Sequence, residues 1–256
     1  SSTLISVEDI QRGMTLVLPE SYQTTDSICV RLLCVPGAHI DIVHDMQAKL
    51  FHGAAQVQAR IRLLGSEAIQ AGGQGYLQLE LSEPITPRFG DRFILRRPSP
   101  SETIGGGDIL DPHPVKRLRR FEDSVQMALF ELEERTLEKY LEHTIRQRGT
   151  LTISRLSILA GLNVSVLQES LAELVSSGSV IIIAQNETIT SASRDSMVMH
   201  SDLLEKLSVR LAGVLEEYHG KNPYVFGVPV EVLRSRLELE QGVFQFLLQK
   251  LQESGE

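Results

Sequence analysis

A period of two runs through the first half of the chain and restricts that half to antiparallel sheet. Ile28, Val30, Leu32 and Cys34 alternate with Cys29, Arg31 and Leu33. Ala55, Val57, Ala59, Ile61 and Leu63 alternate with Gln56, Gln58, Arg60 and Arg62; Leu77, Leu79 and Leu81 alternate with Tyr76, Gln78, Glu80 and Ser82. Successive side chains of a strand point to opposite faces, so each run predicts one buried and one wet face. Pro36-Gly37, Gly72-Gly73, Pro84 and Pro87 to Gly90 separate the runs. With the shorter run Gln47 to Gly53 and a hairpin between Arg88 and Pro114, about six strands are expected, enough to close a small barrel and remove its edges.

That hairpin is the most distinctive stretch. Phe93 and Leu95 face one way while Arg92, Ile94 and Arg96 face the other, so one face packs and the other can meet an anion. Arg92 and Arg96 fall on the same face about 13 Å apart at the usual rise, near the span of two phosphate steps, and Arg97 follows. The alternative for all three is a solvated barrel face. A Pro98-Ser99-Pro100-Ser101 turn leads into Thr103-Ile104, and Gly105-Gly106-Gly107 follow. Three residues without Cβ atoms admit close approach by a neighbour or a ligand.

The second half is helical. Asp111 to Arg120, with Pro112 and Pro114, reads as an extended joint. Phe121, Val125 and Leu129, then Leu137, Leu141 and Ile145, mark one amphipathic helix or two in line over Phe121 to Gln147. Leu151 to Thr190 reads as a winged helix: a short helix around Ser154 to Ala160, a turn at Gly161, and a second helix opened by the capping box Ser165-Val166-Leu167-Gln168. Gly178 ends that helix, and Val180 to Ala184 with Thr188-Ile189-Thr190 form a two-stranded wing around Asn186. A shift of 77 residues then carries Leu156 onto Leu233, Leu162 onto Leu239, Val166 onto Val243, Leu167 onto Phe244, Leu171 onto Leu248, Leu174 onto Leu251 and Gly178 onto Gly255. A repeated unit is expected: a first winged helix with its linker helix over 115–195, and a second over 196–256. The second lacks a counterpart of the wing, so the chain is expected to be a piece of a longer protein.

The run GDRFILRRPSPSETIGGGDILDP, Gly90 to Pro112, resembles the final hairpin of the third domain of EF-Tu-type translation elongation factors, most closely the selenocysteine-specific factors, SelB. Glu8-Asp9-Ile10 with Arg12-Gly13 resembles the last strand of that family's second domain, so 1–22 is read as its tail or as a linker. His219, Asn222-Pro223, Gly227 and Leu233 to Leu237 resemble the start of the family's second winged helix. The resemblance implies a multidomain protein, β then α+β: an EF-Tu domain III-like antiparallel β-barrel over 23–114 followed by two winged-helix domains, the second truncated. It implies that the barrel helps hold selenocysteinyl-tRNA, with Thr103, Gly105 and Gly106 presenting a hydroxyl and backbone amides beside Arg92, Arg96 and Arg97. His52-Gly53 resembles a recurrent family motif and is placed at the same RNA surface; the competing reading is a polar residue at a strand end beside a turn glycine. Further implied partners are the ribosome and the messenger hairpin (SECIS), gripped by winged helices C-terminal to Glu256. A cytoplasmic location, without membrane association, goes with this.

Composition narrows the alternatives. The formal charge of −8 argues against a nonspecific nucleic-acid binder. The average hides a split: Arg88, Arg92, Arg96, Arg97, Lys116, Arg117, Arg119 and Arg120 make one stretch basic, and the following stretch to His143 is acidic. Trp is absent and aromatics are few, which excludes stacked-base binding of single strands. Cys29 and Cys34 lie on opposite faces of one strand and cannot pair; their number suits a reducing cytoplasm. His39 and His44 are badly spaced for a shared metal. No G-x-x-x-x-G-K-[ST] loop occurs, so no catalytic residue or cofactor is assigned to this chain; the resemblance puts GTP and magnesium in a separate N-terminal GTPase domain. The other reading is a transcription regulator with a β sensor domain and DNA-binding winged helices. The helix in the reading position, Ser165 to Ser177, carries Glu169 and Glu173 and no Lys or Arg, which speaks against it.

Overall fold

The computed structural model describes residues 13–17, 21–183, 189, 192–222, 224–225 and 227–254. Its first half contains β1 (Thr25–Cys34), β2 (Ile42–Val43), β3 (Gln47–His52), β4 (Ala55–Leu64), β5 (Ala68–Ile69), β6 (Gln74–Ile85), β7 (Arg92–Arg97) and β8 (Glu102–Asp111). Six of these close an antiparallel barrel in the order β1-β6-β4-β3-β7-β8, while β2 and β5 pair separately. The inward set matches the alternation: Ile28, Val30, Leu32, Leu50, Ile61, Leu77, Leu79 and Leu95 are fully buried in one cluster. Each such side chain contributes about 1.5–3 kcal/mol on leaving water.

The outward set departs from expectation. Cys29, Arg62, Gln78 and Asp108 alternate with core residues, a position that predicts a wet side chain, yet all four are buried. For Cys29, Arg62 and Gln78 the physical reason is the joint, which lies against the outside of the barrel instead of leaving it; Asp108 is instead held by Arg31 and Arg135. Gln78 holds that strap like a backbone partner: its amide nitrogen donates to the Lys116 carbonyl at 3.1 Å and its oxygen accepts from the Leu118 amide at 2.9 Å. Arg62 donates to the Leu118 carbonyl at 3.1 Å, and the Gly65 amide to the Arg120 carbonyl at 2.6 Å. Burial, then Asp111, pushes the Cys29 thiol well above its ordinary pKa. Cys34 points into the barrel, and both cysteines are free.

The helical half begins with α1 (Asp123–Glu131), a 3-10 turn (Leu132–Glu134) and α2 (Leu137–Arg148). Of the two readings, one helix or two in line, the structure gives two, broken at Arg135, whose φ of 56° is left-handed. Then come β9 (Thr150–Thr152), α3 (Ile153–Ala160), α4 (Val164–Ser176), β10 (Val180–Ile183) and β11 (Met197–His200). Two expectations need correction. Helix α4 starts at Val164, so Ser165 sits inside its first turn instead of capping it. The partner of β10 is β11, which also pairs with β9 in a three-stranded sheet. That strand lies beyond residue 195, the end expected for the first winged-helix segment. Ala184, Asn186, Thr188 and Thr190 of the expected wing lie outside the described residues, as does Gly255.

The last elements are α5 (Ser201–Lys221), α6 (Val230–Leu237) and α7 (Gln241–Ser254). The 77-residue shift carries α3 onto α6 end for end and the start of α4 onto the start of α7. Leu167 and Phe244 are both core residues, whereas Val166 is exposed and its counterpart Val243 is buried among Leu233, Phe244 and Leu247. Two compact units result, Ser1–Tyr140 with Ser157–Asn163, and Leu141–Leu156 with Val164–Glu256. Among the described residues no single helix is long and apolar enough to cross a membrane.

Candidate nucleic-acid interface

The outer face of β8, β7 and β3 is built in cross-strand rows. Pairing sets Leu33, Gly106, Ile94 and Phe51 side by side across β1, β8, β7 and β3. Leu33 and Ile94 are 58% and 49% exposed, an apolar row that faces water. On one flank Arg92 stands opposite Asp108; on the other Thr103, Arg96 and Lys49 form a row. Arg92 and Thr103 are exposed, and Arg96 and Arg97 are half-buried. Arg96 lies over the Phe51 ring, 5.9 Å from its centre, and its Nε has no hydrogen-bond partner among the described residues. Among the same residues neither Arg92, Arg96 nor Arg97 forms an ion pair, although Glu102 stands opposite Arg97. Lys49 directly opposite Arg96 is a like-charge pair that costs stability in a sheet.

The three glycines have a structural explanation. A Cβ on Gly105, Gly106 or Gly107 would come within 2.8, 2.8 and 1.8 Å of the carbonyl oxygens of Leu33, Phe93 and Arg31. These positions let β8 approach both neighbours where the barrel closes. Strand β8 is paired on both sides, so the amides of Gly105 and Gly106 lie in the ladders. Of the two glycines expected at the RNA surface, Gly105 is buried and Gly106 is half-buried. Gly106 offers bare outward backbone between Leu33 and Ile94.

His52 ends β3, and its Nε2 lies 2.8 Å from Asp91 Oδ2, which also accepts the Arg88 amide at 2.8 Å. Burial alone would raise the Asp91 carboxyl; the hydrogen bonds from His52 and Arg88 outweigh it and hold the group below the usual carboxylate range. The pair fixes the turn from Arg88 to Asp91, with Gly90 left-handed, immediately before Arg92. Gly53, with φ 54°, turns β3 into β4. Grooves of about 680 and 700 Å³ meet here, and both are lined by Gly53 and Arg92.

Of the remaining arginines of the barrel, Arg88 lies over the Tyr22 ring, 4.6 Å from its centre, and the others reach carboxylates. Asp108 accepts Arg31 at 3.1 Å and also Arg135; Glu133 accepts Arg31 at 3.3 Å and the Tyr76 hydroxyl at 2.5 Å. Burial, then Glu133, raises the Tyr76 pKa far above that of a free phenol. Arg60 pairs with Asp45 and Arg120 with Glu67, while Arg62 and Arg117 share Glu80. Thus the basic stretch divides. Lys49, Phe51, Leu33 and Arg135 escape a reading of the sequence alone; the alternation in Gln47 to Gly53 puts Lys49 and Phe51 on one face, but which strand lies beside them has no local signal.

Comparisons with known proteins agree with this architecture. Residues 29–116 match the family described as "Selenocysteine-specific elongation factor, beta-barrel domain", and residues 213–256 match "Elongation factor SelB, winged helix". A selenocysteine-specific elongation factor of Desulfomicrobium baculatum is 25% identical over 263 aligned positions, which take in 98% of this chain and 39% of that protein. The chain therefore spans well under half of this relative. A crystal structure of the bacterial selenocysteine-specific elongation factor EF-Sec shares the fold with a TM-score of 0.62 and 19% identity, over 97% of this chain and 36% of that one. The two matched regions lie in one chain and together cover more than half of it, in an architecture that EF-Sec repeats, and on these grounds the protein belongs to the SelB family of selenocysteine-specific elongation factors.

Proposed function

We propose that the β8-β7-β3 face of the barrel meets the sugar-phosphate backbone of selenocysteinyl-tRNA, and that the winged helices form an arm toward the messenger hairpin, for insertion of selenocysteine at UGA. The observation that carries the reading is the set of guanidinium groups on β7 with no carboxylate partner among the described residues. Charge left uncompensated on a folded surface favours an anionic partner, and the planar fork of Arg suits phosphate. Thr103 on the same row adds a hydroxyl. Helix α4, with Glu169 and Glu173 and no cation, is unsuited to duplex phosphate, which favours a spacer arm over a DNA reader. GTP and magnesium are assigned to another part of the factor, because this sequence has no phosphate loop. The setting is the ribosome in the cytoplasm.

The test is the affinity of the full-length, GTP-loaded factor for selenocysteinyl-tRNA over a series of salt concentrations. Replacing Arg92 and Arg96 with Ala should weaken binding about tenfold or more and lower the salt slope by about one for each phosphate no longer neutralised. Unchanged affinity at physiological salt removes this face from tRNA binding. For the arm, the full-length factor should shift the messenger hairpin in a gel, and duplex DNA should not compete.

A further inference from the structure

Arg92 stands directly opposite Asp108 across the β7-β8 ladder, where outward side chains approach within about 5 Å at Cβ. Such a pair ordinarily forms an ion pair and removes the cation from the surface. Here it does not, and the surrounding groups give the reason. Asp108 is also opposite Arg31 on β1, whose guanidinium reaches it at 3.1 Å, and its same oxygen accepts Arg135. Arg31 is shared with Glu133. Arg31, Arg135, Asp108 and Glu133 thus form a cluster with two charges of each sign, and Arg92 lines the same groove outside that balance. The Arg135 backbone is left-handed at the break after the 3-10 turn, the conformation from which its side chain reaches Asp108.

We propose that Arg135 is a charge guard: by holding Asp108 it keeps Arg92 free for RNA phosphate. This rests on the reading of the β7 face given above. Without Arg135 the cluster carries one uncompensated negative charge, with Asp108 only 5% exposed, and a carboxylate so placed draws in the nearest available cation. That cation is Arg92. Arg135 then affects RNA binding through another residue, without touching the RNA.

The experiment measures selenocysteinyl-tRNA affinity in the full-length, GTP-loaded factor. Asn tolerates the left-handed backbone, so Arg135→Asn removes the charge with little strain. It should weaken binding about three- to tenfold, approaching Arg92→Ala, and lower the salt slope by about one. Arg135→Lys, which retains the cation, should bind like the parent. Asp108→Asn added to Arg135→Asn should restore affinity to within about twofold of the parent, since a neutral amide no longer captures a guanidinium. Restoration supports the guard. An Arg135→Asn variant that binds like the parent overturns it, as does a double variant as weak as the single one, which would mean that Arg135 contacts RNA itself or only supports the fold. Arg92→Ala in the same series separates the two claims: no effect of Arg92→Ala counts against the RNA face, whereas a loss with Arg92→Ala and no restoration by Asp108→Asn counts against the guard alone. Thermal melting of each variant keeps unfolding apart from weak binding.

Discussion

The β4-β6 side of the barrel and the β7-β8 side carry the same residue type and use it in opposite ways. On the first, Arg60, Arg62, Arg117 and Arg120 each reach a carboxylate, and Arg62 and Arg120 also donate to backbone carbonyls. On the second, Arg92, Arg96 and Arg97 reach none among the described residues. The difference follows from what covers each side. The Asp111–Arg120 strap lies over β4 and β6 and desolvates Arg62, which must be compensated by its own chain, while Arg117 and Arg120 belong to the strap and find carboxylates on the barrel, and Arg60 reaches Asp45 on the open surface. On β7 Arg92 is exposed, Arg96 and Arg97 are half-buried with the Arg96 Nε itself buried, and among the described residues none of the three is neutralised by a carboxylate, so each can still take an external anion. Packing neighbours therefore decide whether an arginine is structural or available.

The largest effect is expected at the glycines that close the β7-β8 side. Gly107→Ala places a Cβ 1.8 Å from the Arg31 carbonyl oxygen and should cost about 3 kcal/mol or more, read by chemical denaturation. Normal stability with weakened RNA binding would instead make the glycines a ligand device. Next, Arg62→Ala removes a 7% exposed guanidinium from Glu80 and the Leu118 carbonyl, and should cost about 3 kcal/mol while the folded fraction keeps its RNA affinity. Arg96→Ala should do the reverse, weakening tRNA about fivefold or more with stability within about 0.5 kcal/mol of the parent.

A smaller effect concerns acid. The native Asp91 carboxyl is held below its unfolded value, so its contribution is complete above the unfolded pKa and is lost as pH falls through the native one. His52→Gln should cost about 1 kcal/mol at neutral pH, and the gap to the parent should close in acid, as pH-dependent melting would show. Smallest is Lys49→Gln, which removes the like charge opposite Arg96: a gain of about 0.3 kcal/mol in stability together with weaker RNA binding would confirm that the pair is kept for a partner.

Much of this molecule is legible before folding because the signals are local. The period of two in β1, β4 and β6 names the core residue by residue, and the 77-residue shift locates α6 and the start of α7 from α3 and α4. Misreadings arise where a distant segment acts on a local pattern. Gln78 and Cys29 alternate like wet residues and are buried by the strap, and the partner of β10 is β11, with Ala184 to Thr190 left between them in sequence.

Inward-pointing side chains, the passage from sheet to helix and the three residues of β8 without a Cβ can all be read along the chain. These follow from spacing along the chain. Folding in three dimensions is what brings β3 beside β7 and β8 beside β1, setting Lys49 against Arg96 and Asp108 between Arg31 and Arg92. Strand order is a choice among long-range pairings of similar local pattern, settled by closure of the barrel as a whole, and it is this choice that leaves the β7 arginines without a carboxylate partner among the described residues.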